Sequence, residues 1–378
     1  MGGVMDIHEL KVGTPGTILP PFENVVKNAR RAEELGYDSC WWPDHLMGWI
    51  PESIWTPDIA EIAAYQKSPH TYFDALTTIS AVACHTSKLL LGTSVTECFR
   101  RHPAMLAQAA LTLDHISKGR FILGIGAGEY ENIEPYGIIY EKPASRLEEA
   151  LKIIRLLWES EGKVDYDGQF WKLRDAVLTL KPYREECYPP IWVAAHGERT
   201  MRITGRLGDG WFPTYMPLER YKEGLKIVRD EARRAGRDPE SVTPAMWCYT
   251  VIDEDPEECR RLLASPMIRA FTLTMPYYAF EELGYRHPLG EKSVPFSDYV
   301  PTRYGREQVI KALEKVPVEV CERYTLNGTP DDIIKKLEEY LKAGLRHVVL
   351  WNITFFGDMK KVRPSFTAMS RILEYIKG

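Results

Sequence analysis

The stretch from Leu89 to Glu129 reads LLLGTSVTECFRRHPAMLAQAALTLDHISKGRFILGIGAGE. A short apolar run, Leu89 to Val95, is followed by a helix-length segment, Pro103 to Ile116, and then by a second apolar run, Phe121 to Ile125. Apolar runs of this length spaced by an amphipathic helix read as strand, helix, strand, the repeating unit of a parallel sheet.

The same rhythm extends both ways along the chain. Upstream, strands are expected at Leu10 to Val12 and Ser39 to Trp42, with helices at Pro21 to Leu35 and Tyr72 to Cys84. Downstream, a helix over Ala144 to Trp158 leads to strands at Ile191 to Ala194, Gly210 to Pro213, Thr243 to Val251 and His347 to Trp351. Helices are expected between them at Arg199 to Leu207, Leu218 to Ala235, Pro256 to Leu263 and Pro330 to Ala343, and a last one at Met359 to Ile376. Eight strands alternating with helices, without a break in composition, predict a single (β/α)8 barrel, a TIM barrel, over residues 1–378. Three stretches interrupt the rhythm and read as insertions: residues 46–71, 162–181 (which alternates like a hairpin) and 265–329.

Bulk properties narrow the function. The 378 residues exceed the roughly 250 of a plain barrel. A formal net charge of −5 gives no expectation of a nucleic-acid partner. The seven cysteines form no CxxC pair, which fits neither a disulfide framework nor a zinc site and suits a reducing cytoplasm. No signal peptide or membrane span is expected, and the histidines lack partners at metal-ligand spacing, so no metal is expected.

In a barrel of this kind functional groups gather at the C-terminal ends of the strands. Asp44 and His45 follow the second strand, where a carboxylate and an imidazole suit proton transfer; a capping aspartate beside a surface histidine is the plain alternative. Gly92-Thr93-Ser94-Val95-Thr96 ends the third strand with small residues that let a flat ring approach the backbone, or that simply taper the barrel. Gly124-Ile125-Gly126-Ala127-Gly128-Glu129 resembles a dinucleotide fingerprint only superficially, because Glu134-Pro135-Tyr136-Gly137 interrupts any helix start. It reads better as a turn carrying Glu129 to the barrel mouth, as an acid or as a structural carboxylate. His196, Gly197, Arg199 and Thr200 lie where the fifth strand meets a helix; free N–H groups there suit a phosphate, and an ordinary turn would look the same. Trp49 falls in the first insertion and either packs or walls a ring.

These segments, in this order, resemble the bacterial luciferase-like superfamily and its F420-dependent branch, nearest the phthiodiolone dimycocerosate ketoreductase group. The resemblance is carried by Trp42-Pro-Asp-His-Leu46, Ile50-Pro-Glu-Ser-Ile54, Gly124 to Glu129, Glu134-Pro-Tyr-Gly137, Trp192-Val-Ala-Ala-His-Gly197 and Asn327-Gly-Thr-Pro-Asp331. It implies a deazaflavin over the barrel mouth, a non-prolyl cis peptide at Ser94-Val95 behind the ring, and a homodimer. It further implies His45 as the proton-transfer group, Glu129 as a carboxylate near the cofactor ring and Trp49 as an active-site tryptophan. Asp44, Ser94, Val95, Glu97, Ala127, Gly128 and Asn132 would contact the cofactor, with His196, Gly197, Arg199 and Thr200 at its phosphate; Glu97 stands where the sugar-phosphate branch has a threonine. Tyr215-Met216-Pro217 replaces that branch's lysine, which argues against a sugar phosphate, and Val12-Gly13-Thr14-Pro15 lacks the early glutamate of the pterin reductases.

The function expected is therefore hydride transfer between C5 of coenzyme F420 and the carbon of a small-molecule carbonyl or alcohol. The alternatives are an FMN-dependent luciferase-like monooxygenase, a methylenetetrahydromethanopterin reductase-like enzyme, and a passive flavin-binding protein.

Overall fold

The computed structural model describes residues 6–378. The first half of the chain runs β1 (Lys11–Pro15), α1 (Phe22–Glu34), β2 (Ser39–Trp42), α2 (Ala75–Ala83), β3 (Leu90–Thr93), α3 (Pro103–Ser117), β4 (Phe121–Gly126) and α4 (Pro143–Glu159). A hairpin of β5 (Val164–Asp167) and β6 (Lys172–Ala176) follows. Then come β7 (Ile191–Ala194), α5 (Glu198–Leu207), β8 (Gly210–Trp211), α6 (Leu218–Arg234), β9 (Thr243–Ile252) and α7 (Pro256–Leu263). Five short helices fill the long insertion: α8 (Pro266–Thr272), α9 (Tyr277–Glu281), α10 (Pro295–Asp298), α11 (Arg306–Glu314) and α12 (Val318–Tyr324). The chain ends with β10 (Leu326–Gly328), α13 (Pro330–Lys342), β11 (His347–Asn352), α14 (Thr354–Gly357) and α15 (Val362–Lys377).

Strands β1, β2, β3, β4, β7, β8, β9 and β11 pair in parallel in that circular order, and β8–β9 and β11–β1 pairs complete the ring. It is the closed eight-stranded parallel barrel that the alternating pattern predicts. Every residue of β2 and β4 is buried, as expected of strands covered by helices outside and side chains inside. The helices present one apolar stripe each to the sheet: Val25, Ala29 and Ala32 on α1, and Tyr221, Leu225, Val228 and Ala232 on α6. Inside the ring, Trp41, Ile122, Trp192, Phe212, Ala245 and Val349 form the lumen core. Gly92 makes room for one of these rings: a Cβ there would lie 2.3 Å from the Trp41 indole.

Several boundaries differ from the sequence expectation. The third strand ends at Thr93 rather than Val95, since Ser94 and Val95 leave the ladder before Thr96 bridges to Ile125. β8 keeps only Gly210 and Trp211 of the expected Gly210 to Pro213. β10 was not anticipated; it pairs with Thr250 to Ile252, the end of β9 that projects beyond the ring.

The first and third insertions are not independent. Ile50, Ile54, Trp55 and Ala60 pack with Leu262, Met267, Phe271, Phe280, Leu313 and Val320 into a second apolar core. Together they form a cover over one side of the barrel mouth. The middle insertion is the β5–β6 hairpin, docked through Glu149 of α4, whose carboxylate accepts from the backbone N–H groups of Gln169, Phe170 and Trp171.

Candidate active site

The C-terminal ends of the barrel strands open into one cleft of about 950 Å³. Its floor and rim include Asp44 and His45 after β2, Ser94 to Glu97 after β3, Gly126 to Glu129 after β4, His196, Gly197 and Thr200 after β7, and Trp351 at the end of β11. The insertion cover supplies Trp49, Phe271, Met275 and Tyr278.

His45 and Glu129 meet across this cleft, with Nε2 and a carboxylate oxygen 3.1 Å apart. Asn132 locks the pair in place. Its Oδ1 accepts from the N–H groups of Leu46 (2.7 Å) and Met47 (2.9 Å), and its Nδ2 donates to Glu129 at 3.3 Å. One side chain thus ties the loop carrying His45 to the turn carrying Glu129. Burial pushes the Glu129 carboxyl up, but the His45 ring, the Arg100 guanidinium and the Asn132 amide outweigh it and hold the group below the ordinary glutamate range. The ring of His45 lies against Trp49 (centroids 5.7 Å, edge to face) and Tyr72 (5.4 Å).

Asp44 does not contact His45 as a pair. Its buried carboxylate accepts from Thr96 Oγ1 at 2.6 Å and is ion-paired with Arg101 and, at 3.4 Å, with Arg100. Arg100 also binds the Asp44 carbonyl oxygen and Glu97, at 2.5 Å. Asp44 therefore fixes the loop that carries His45, while Glu129 is the carboxylate facing the imidazole. Glu97 lines the cleft with its carboxylate engaged by Arg100 and by the N–H of Phe99.

The Ser94–Val95 peptide is cis. Val95 projects toward β4: a Cβ on Gly126 would fall 2.9 Å from Val95 Cγ2, and Gly128 adopts a positive φ of 91°. Ala127 and Gly128 consequently leave the floor of the cleft open beside Ser94. On the far side, His196 Nε2 accepts from the Thr214 N–H at 2.9 Å and lies 2.8 Å from Thr214 Oγ1. Accepting that N–H makes the ring neutral, with its proton on Nδ1. Gly197 is the N-cap of α5, without a side-chain partner for the first helical N–H groups, and Thr200 sits one turn in. Arg199 departs from the expected anion-binding set: it reaches Ser145 Oγ on α4 at 2.5 Å and does not line the cleft, because the first turn of α5 turns it outward.

Three buried polar atoms around the cleft have no partner among the described residues: His45 Nδ1, Trp49 Nε1 and Ser94 Oγ. Buried polar groups are normally hydrogen-bonded, so these three atoms are open to a bond from a group entering the cleft. Arg100, Arg101 and Tyr72 are the contributors that sequence reading missed. The consecutive arginines in the loop between β3 and α3 were the available signal; Tyr72 carried none.

Comparison with known proteins identifies the family. A family model described as luciferase-like monooxygenase matches residues 2–347. The phthiodiolone/phenolphthiodiolone dimycocerosates ketoreductase of Mycobacterium tuberculosis (strain ATCC 25618 / H37Rv) is 38% identical over 365 residues, 95% of each chain. The 5,10-methylenetetrahydromethanopterin reductase of Archaeoglobus fulgidus is 29% identical over 320 residues, covering 84% of this chain and 86% of that one. Among solved structures, an F420-dependent secondary alcohol dehydrogenase in complex with an F420-acetone adduct superposes with a TM-score of 0.73 at 22% identity, covering 98% of this chain and 99% of the other. The chain is an oxidoreductase and belongs to the luciferase-like monooxygenase family.

Proposed function

We propose that this protein transfers a hydride between C5 of coenzyme F420 and the carbon of an uncharged ketone or secondary alcohol. The observation that carries the reading is the convergence of His45, Trp49 and Ser94, each with an unpartnered polar atom, on a cleft in which Glu129 already holds the other face of the imidazole. The named activities of the ketoreductase relative and of the alcohol dehydrogenase fold neighbour support it.

The residues present suit a deazaflavin. Ser94, Val95, Ala127 and Gly128 offer a floor free of bulky side chains, Asp44 and Asn132 brace it, and the His196–Gly197–Thr200 turn offers donors to an acidic tail. The cofactor would supply the hydride; the protein binds, orients and moves the proton. With Nε2 bound to Glu129, Nδ1 is the atom of His45 left to exchange a proton with the substrate oxygen. Trp49, whose indole N–H is unpartnered among the described residues and whose ring lies against His45, would donate to the same oxygen. Beyond this pair the wall is aromatic, with Tyr249 of β9, Phe271 of the cover, Trp351 of β11 and Phe356 of α14 in edge-to-face and tilted contact. The cleft's cations are engaged: Arg100 by Asp44 and Glu97, and Arg220 by Glu282 with Tyr278 under its guanidinium. A wall of this kind favours an apolar, uncharged substrate over a phosphorylated one.

The test is to titrate the apoprotein separately with F420 and with FMN, then to follow oxidation of the reduced deazaflavin by a series of ketones. Tight F420 binding with ketone-dependent oxidation supports the proposal. Tight FMN binding with oxygen-dependent turnover and no response to F420 would replace it with the monooxygenase reading.

A further inference from the structure

Behind Glu129 lies a second carboxyl that this chemistry does not use. Glu131 is 1% exposed, and neither of its oxygens receives a hydrogen bond from any donor among the described residues. It sits in the 3-10 turn Tyr130–Asn132, between Glu129 and Asn132, and that turn packs against α10. Glu129, two positions earlier in the same turn, is the charged group that acts on it most strongly, and the charge of Glu131 would in turn be felt by the phenols of Tyr72, Tyr140, Tyr249 and Tyr299. No lysine, arginine or histidine pairs with it among the described residues; Arg100 and His45 both face Glu129. An isolated carboxylate in such a place is strongly disfavoured, and two carboxylates at hydrogen-bonding distance cannot both remain ionised. Burial first, and the neighbouring Glu129 charge second, push the Glu131 carboxyl well above the ordinary range.

We propose that Glu131 is a positioning residue that stays protonated at neutral pH and donates its carboxyl O–H to the Glu129 carboxylate, so that the two acids hold one proton between them and Glu129 is kept ionised and aimed at His45. Glu129 then receives hydrogen bonds from three sides, from His45, Asn132 and Glu131, and has one available orientation. The acid also accounts for a paradox of charge at the mouth. Asp44, Asp74, Glu97, Glu129 and Glu131 are gathered around two arginines and one imidazole, and a neutral Glu131 takes one negative charge out of that acid-rich cluster. The kinetic consequence rests on the roles proposed above for His45 and Glu129; the protonation state does not.

Two variants of similar shape separate donation from bulk. Glu131→Gln retains an N–H donor for Glu129, whereas Glu131→Leu fills the site without one. Infrared spectroscopy of the cofactor-free wild type at neutral pH should show the carbonyl stretch of a buried protonated carboxylic acid, shifted in heavy water and absent from Glu131→Gln. In the kinetic arm, Glu131→Gln should keep kcat within about threefold. Glu131→Leu should lose about tenfold or more in kcat with little change in KM, as expected for one hydrogen bond to a charged acceptor. The alkaline fall in kcat that follows ionisation of Glu131 in the wild type should disappear in Glu131→Gln. Absence of the infrared band, or its survival in Glu131→Gln, overturns the proposal. So does a Glu131→Leu variant as active as Glu131→Gln. If the band behaves as expected but no variant turns over F420, the sharing of the proton stands and the proposed reaction fails instead.

Discussion

The contact between His45 and Glu129 makes a quantitative prediction. At 3.1 Å, a full charge pair is worth about 5 kcal/mol at an effective dielectric near 20 and about 1 kcal/mol at that of water. The Glu129 side chain is 29% exposed and opens on the cleft, so an intermediate figure of about 3 kcal/mol applies, roughly a hundredfold in rate. Glu129→Gln keeps the shape, the bond to Asn132 and a neutral acceptor for His45, and removes only the charge. It should therefore lower kcat by about a hundredfold. His45→Gln removes the proton donor itself and should cost roughly a thousandfold, within the usual range for general acid catalysis. Because Glu129 acts through His45, the double variant should be no slower than His45→Gln alone. The assay is single-turnover oxidation of the reduced deazaflavin with saturating ketone, monitored by absorbance, with cofactor affinity measured in parallel. If the two losses multiply in the double variant, Glu129 has a role independent of His45 and the assignment is wrong.

Other consequences are open to direct measurement. Asp44→Ala strips a buried carboxylate from two arginines, but Arg100 keeps Glu97 at 2.5 Å and Arg101 keeps Asp74 at 2.6 Å; denaturant unfolding should show a loss of about 3 kcal/mol, the low end for breaking a buried pair. Gly124→Ala places a Cβ 1.8 Å from the Thr93 carbonyl oxygen and should destabilise the β3–β4 junction by about 3 kcal/mol, whereas Gly162→Ala, with nothing near its Cβ, should fall within about 0.5 kcal/mol of wild type. Trp49→Phe removes the unpartnered indole N–H while keeping an aromatic wall, and should lower kcat more than it raises KM in steady-state kinetics with ketone. Glu131 makes stability depend on pH. Its folded-state carboxyl binds a proton that the unfolded chain releases, so its contribution is present in acid and is lost as pH rises from about 4.3 toward the raised folded value, by up to about 1.4 kcal/mol per pH unit. Melting curves of Glu131→Gln should therefore rise relative to wild type as pH increases through that window, and a constant difference would contradict it.

Those parts of the fold whose determinants are local could be read in the chain. β2 and β4 are apolar at nearly every position because both faces of a parallel barrel strand are covered, and the stripes on α1 and α6 recur at helical spacing. The cover could not be read that way. α8, α10 and the turn at Pro301–Arg303 begin with proline and last only a turn or two, too short to establish a period; α8 is buried with Ile50, Ile54 and Trp55, some 200 residues earlier, and α10 packs on the Tyr130–Asn132 turn. β10 is three residues long and exists only because β9 outruns the barrel.

The site divides along the same line. His45, Glu129 and Asn132 are close to strand ends, and the barrel rule alone directs them to one mouth. Which carboxylate would face the imidazole was not a local question. Asp44 is the sequence neighbour of His45, yet consecutive residues leaving a strand point to opposite sides, and Asp44 turns to Thr96, Arg100 and Arg101, more than 50 positions on. Those arginines neutralise Asp44 and leave the imidazole to Glu129, a partner 84 positions away. The ion pairs across β2 and β3 thus bear on the charge at the β4 end: with Arg100 and Arg101 held by Asp44, Glu97 and Asp74, no full cation among the described residues pairs with Glu131, and the proton proposed for it is the least expensive way to bury another acid there.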